Sequence, residues 1–126
     1  MSAFGDRMLP VMPDVTAPDG SDVRILAATG RGSMAYFRLS PGQVARAIVH
    51  RTVDEVWFVA AGRGRMWRKS AGEETVAELV AGFSLTIPVG TWFQFRCDGS
   101  EALDIIAVTM PPWPGNDEAV FVDGLW

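Results

Sequence analysis

One histidine and one cysteine stand in a chain with fifteen acidic and eleven basic side chains, so few residues can carry chemistry. His50 and Glu55 are the first candidates. A carboxylate beside an imidazole in a dry pocket can move protons, and the same two groups are ligands for a divalent ion. They are therefore the candidate catalytic residues. Cys97 has no neighbouring cation in the sequence to activate it and reads as a buried, inert thiol. A single cysteine makes neither an internal disulfide nor a cysteine-based zinc cluster. No Ser sits in a G-x-S-x-G elbow, and there is no phosphate loop, HExxH or EF-hand pattern.

The residues around this pair follow from strand parity, because side chains two apart share a face. Arg46, Ile48 and His50 form one set, Glu55, Trp57 and Val59 a second, and Phe93, Phe95 and Cys97 a third. If the strands close into a barrel, these sets line one interior, and the ligand pocket is Arg46, Ile48, Trp57, Phe93 and Phe95 around His50 and Glu55. Trp57, Phe93 and Phe95 would form a stacking platform or simply core. Arg46, joined by Arg68, would suit an anionic ligand, with two surface arginines as the alternative. Trp113, set between Pro112 and Pro114, is either a lid on the pocket or a packing anchor.

The elements that must position these groups are short strands. Apolar runs at 23–29, 34–39, 44–50, 55–60, 63–69, 74–80, 83–87, 92–97 and 101–109 are rich in Val, Ile, Phe, Trp and Thr. Turn chemistry separates them, as at Ser40-Pro41-Gly42, Ala61-Gly62, Pro88-Val89-Gly90 and Asp98-Gly99. No window carries a sustained helical stripe, and a strand about every ten residues means a sandwich or barrel. Residues 1–22 read as an arm broken by prolines, either docked as an edge strand or dimer contact or solvated. Residues 23–110 are the β-barrel. Residues 111–126 are a Pro- and Trp-containing tail, too apolar to leave in water.

The 126 residues suit one domain, and 48% apolar with 21% charged residues is ordinary for a globule. A net charge of -4 without a Lys/Arg run argues against nucleic acid and anionic membranes as partners. No apolar stretch is long enough to span a bilayer, and the first twenty residues lack a signal-peptide pattern, so a cytoplasmic location is expected.

The stretch from Gly42 to Gly62 resembles the first signature of the cupin family, G(X)5HXH(X)3-4E(X)6G. Gly42, His50, Glu55 and Gly62 fall in place, with Ile48 at the first His position. An alternative alignment puts His50 there and Thr52 at the second His. Residues 82–93, GFSLTIPVGTWF, resemble the second signature, G(X)5PXG(X)2H(X)3N, through Gly82, Pro88 and Gly90, with Phe93 at the His position. The HRTV-E-WFV block and the MPPWPG end are similar to those of a group of small bacterial cupins. The resemblance implies an all-β, single-domain cupin: a double-stranded, jelly-roll-like antiparallel β-barrel with the three parity sets facing its interior.

It also implies a site at which three His and one Glu hold zinc, iron, manganese, nickel or copper. Two of the four, His50 and Glu55, are present here, so no cofactor is firmly expected and a divalent metal would be weakly held. Three functions stay open: a cupin binding a small organic molecule without strong metal dependence, a metal-dependent oxygenase or isomerase, or a structural or regulatory module with a vestigial pocket. Whether the protein is an enzyme stays open with them. A homodimer is expected from the family and from the apolar arm and tail.

Overall fold

The structure is a computed structural model that describes residues 3–126; the first two residues of the arm lie outside the described residues. Eleven strands form, β1 (Val15–Thr16), β2 (Asp22–Thr29), β3 (Gly32–Leu39), β4 (Ile48–His50), β5 (Asp54–Ala61), β6 (Arg63–Ser70), β7 (Glu73–Val80), β8 (Ser84–Ile87), β9 (Trp92–Cys97), β10 (Leu103–Met110) and β11 (Ala119–Phe121). They pair in two antiparallel sheets, β1-β2-β3-β10-β5-β8 and β11-β4-β9-β6-β7. This is the jelly-roll barrel that the strand rhythm and the resemblance imply.

Alternation places the core. Along β5, Glu55, Trp57 and Val59 point inward while Asp54, Val56 and Phe58 point out. Phe93, Phe95 and Cys97 do the same on β9, and Leu103, Ile105 and Ala107 on β10. With Leu39, Met66 and Leu79 they fill the space between the sheets. The Cys97 thiol is buried and donates to the Glu101 carbonyl at 3.2 Å.

Close backbone approach decides one glycine. Gly62 turns β5 into β6 at φ 89°, and a Cβ there would lie 2.3 Å from the Ala102 carbonyl oxygen. A side chain is excluded both by conformation and by space.

Two segments differ from the sequence expectation. The run 44–50 is a strand only over Ile48–His50; Val44 makes an isolated bridge to Arg96, and Ala47 and Ile48 are both buried. Parity breaks between them, because 44–47 follows an irregular path beneath the C-terminal tail. The arm and the tail, in turn, each add a strand. β1 pairs with β2, and Arg24 donates to the Pro10 and Val11 carbonyls. β11 pairs with β4, with Ala119 opposite His50. The tail then crosses the outer face of the second sheet, where Gln94 Oε1 accepts from the Trp126 amide at 2.9 Å. The Trp126 ring lies between the Arg65 and Arg96 guanidinium groups, at 5.5 and 5.3 Å.

Among the described residues no helix is long and apolar enough to cross a membrane.

Candidate functional site

A cavity of about 320 Å³ opens at one end of the barrel. β2, β3, β4, β5, β9 and β10 supply its walls, and Ala17, Pro18 and Asp19 from the arm and Pro112, Trp113 and Asn116 from the tail complete its rim. His50 and Glu55 are 4% and 3% exposed, and His50 Nδ1 stands 3.3 Å from Glu55 Oε1. They come together because β4 and β5 end on opposite sheets and the turn Arg51–Val53 joins them at the cavity.

The pair is close without being a formed hydrogen bond. His50 Nδ1 is buried with no hydrogen-bond partner. Glu55 is held from its other side, where Oε2 accepts from Trp57 Nε1 at 2.8 Å. Two rings flank the imidazole edge-to-face, Phe93 with centroids 5.1 Å apart and Trp113 at 5.3 Å.

Burial sets the protonation states. It lowers the His50 pKa from 6.5 to about 4, with the Glu118 charge pulling weakly the other way. It raises the Glu55 pKa from 4.5 to about 8; the Trp57 hydrogen bond opposes that shift and the nearby Asp19 adds to it. Both groups are therefore neutral near pH 7. Desolvation thus favours the neutral form of each group over the ion pair that 3.3 Å would allow. Asp19, on the arm, is itself pushed up by burial, although Ser21 donates to its Oδ1 from both backbone and hydroxyl.

Trp57→Phe removes one donor and keeps most of the packing. The Glu55 pKa is expected to rise further above about 8, with about 1 kcal/mol of stability lost. Carboxyl-carbon NMR titration of Glu55 checks this; an unmoved titration would show that the indole N–H plays no part.

Of the expected pocket residues, Ile48, Trp57 and Phe93 line the cavity beside His50 and Glu55. Phe95 does not; it lies one layer deeper, 4.8 Å from the Trp57 ring. Arg46 is also corrected. It sits in the irregular 44–47 stretch, is exposed, and stacks its guanidinium 3.5 Å from the Phe121 ring centroid. Arg68 is away from the cavity too, donating to the Thr86 carbonyl at 2.8 Å. With both gone, the anionic-ligand reading loses its support.

Two buried carboxyl groups near the pair lie outside the sequence expectation. Asp19 follows a proline in an arm without strand pattern and left no signal. Glu118 sits on a 3-10 turn, Asn116–Glu118, and is 4% exposed. Its carboxylate accepts from the Thr52 and Val53 amides at 2.7 and 3.2 Å and from the Thr52 hydroxyl. Burial pushes its pKa up, but those hydrogen bonds outweigh it and hold the group below its ordinary value, so it stays ionised. Thr52 is thereby committed to Glu118, which speaks against the alignment that made it a ligand position.

The metal set does not fit. His50 and Glu55 are joined by Ile48 and Phe93, neither of which has a donor atom, and among the described residues no group of three or more His, Cys, Asp and Glu is placed to hold an ion.

No curated relative matches the chain at a significant level. Solved structures do match. An uncharacterised conserved protein with a double-stranded β-helix domain from Klebsiella pneumoniae is similar over 95% of this chain and 100% of its own, with a TM-score of 0.72 at 18% identity. The protein BH2720 of Bacillus halodurans matches over 82% of this chain and 76% of its own, with a TM-score of 0.67 at 20% identity. KdgF from Halomonas sp. matches over 75% and 82%, with a TM-score of 0.65 at 20% identity. At such identities the likeness bears on the fold alone. The cupin-domain family model covers residues 35–109, more than half of the sequence, and the chain belongs to the cupin family.

Proposed function

We propose that the protein binds a small organic molecule in the apolar cavity, with His50 and Glu55 as the polar contacts at its floor and no metal taking part. The observation that carries this reading is the unpartnered His50 Nδ1, buried in the wall of a cavity of about 320 Å³. A buried polar atom without a partner costs about 1–3 kcal/mol, which a ligand hydrogen bond would recover. The cavity is of the size that small-ligand sites have, and its walls are mostly apolar. The metal-dependent oxygenase or isomerase fares less well, because two ligands cannot fix a metal's geometry.

A neutral fluorescent probe, N-phenyl-1-naphthylamine, tests the cavity directly. Saturable enhancement is expected with the native protein. Ala35→Phe, which puts a ring into the space, is expected to weaken it at least tenfold while circular dichroism stays unchanged. Absent saturation, or binding unaltered in a folded Ala35→Phe protein, would overturn the reading.

A further inference from the structure

The charge of the cavity is one-sided. Its lining holds two carboxyl side chains, Asp19 and Glu55, and no Lys or Arg. A third, Glu118, acts on His50 from the tail side. The two arginines that sequence reading had aimed at the site are engaged elsewhere. An anion entering this lining meets carboxyl groups and no basic side chain, whereas a cation meets groups that can ionise against it.

The walls supply the complementary half. Phe37 and Trp57 meet edge-to-face at 69° with centroids 6.0 Å apart, and Trp57 and Phe93 at 88° and 6.0 Å. Trp113 closes on His50 from the tail at 72°. All four rings line the cavity, and the negative faces of aromatic rings attract ammonium groups within about 6 Å. His50, neutral and with an unpartnered Nδ1, accepts no donor from the protein and is free to accept one from a ligand. Glu55 is buried with no Lys or Arg in the lining beside it, and an entering cation would be its counter-charge.

We infer that the cavity selects an organic cation, an ammonium group carried on a small apolar body, with Glu55 as its counter-charge and Trp57, Phe93 and Trp113 as its walls. This rests on the proposed small-molecule reading and names the ligand class for the same site. A carboxylate or phosphate ester is disfavoured by the same carboxyl groups.

The test compares choline with its neutral isostere 3,3-dimethylbutan-1-ol, each displacing N-phenyl-1-naphthylamine from the full chain at about pH 8.5, where Glu55 is mostly ionised. Choline is expected to bind at least tenfold more tightly, and Glu55→Gln is expected to bring the two within about twofold. Retained naphthylamine binding by the Glu55→Gln protein shows that it is folded. If the isostere binds as well as choline in the native protein, or if Glu55→Gln keeps the preference, the inference is overturned while the cavity reading stands. If the naphthylamine itself fails to bind, both fall together.

Discussion

Glu118→Ala is expected to lower the unfolding free energy by about 3 kcal/mol and to unseat the tail from the cavity rim. The carboxylate is buried and takes two amide hydrogen bonds and one hydroxyl hydrogen bond from Thr52 and Val53. Hydrogen bonds to a charged acceptor contribute about 1.5–3 kcal/mol each, or about 4.5–9 kcal/mol for three, and water reaching the freed donors recovers part of that, leaving a net loss of about 3 kcal/mol. The loss is local in consequence. Glu118 ends the turn just before β11, which pairs with β4 with Ala119 opposite His50, and four residues later the Val122 amide donates to the Ala47 carbonyl. Trp113, Pro112 and Asn116 line the cavity only while that clamp holds. Chemical denaturation gives the stability change, and faster exchange of amides 111–122 than of the core strands gives its location. Native-like stability in Glu118→Ala, or exchange that quickens evenly through the barrel, would show that the clamp does not hold the tail.

Raising the pH from 6.5 to 8 is expected to lower stability by about 2 kcal/mol through Glu55 alone. Its folded pKa is raised from 4.5 to about 8, so its contribution is complete below 4.5 and is lost as pH rises toward 8. His50 has the opposite sign. Its folded pKa is lowered from 6.5 to about 4, so its contribution is complete above 6.5 and is lost as pH falls toward 4. Between 4.5 and 6.5 the two slopes cancel, because folding takes up a proton at one group and releases one at the other. Above 6.5 the Glu55 slope stands alone over about 1.5 pH units, at about 1.4 kcal/mol each. Glu55→Gln keeps the shape and an acceptor for Trp57 Nε1 but does not titrate, so its urea midpoint is expected to be flatter over the same window. An equal loss in both proteins would assign the pH dependence to other groups, with Asp19, also raised by burial, the first to examine.

Much of the site was legible because strands obey a period of two. Once β5 and β9 were recognised, the inward direction of Glu55, Trp57 and Phe93 followed from alternation. Ile48 and His50 followed on β4 because those residues do form a strand. The same rule failed for Arg46, two residues upstream, because a parity argument holds only while the ladder is continuous, and it breaks at Ala47. Phe95 obeyed parity, but alternation says which way a side chain points and not how deep the cavity reaches.

By itself the sequence determined the all-β architecture and the turns that demand glycine such as Gly62, which are consequences of local backbone rules; among fifteen acidic residues it was the cupin signature, not the inventory, that set Glu55 beside the lone imidazole. Only the tertiary structure decided that Asp19 joins the cavity and Glu118 lies near His50, that Arg46 stacks on Phe121 instead of entering, and that the lining holds two carboxyl groups and no Lys or Arg. Asp19 and Glu118 stand 36 residues before Glu55 and 63 after it. Only the packing of the arm and tail over the barrel mouth brings such distant residues together, and burial, a property of that packing, is what sets their charge states.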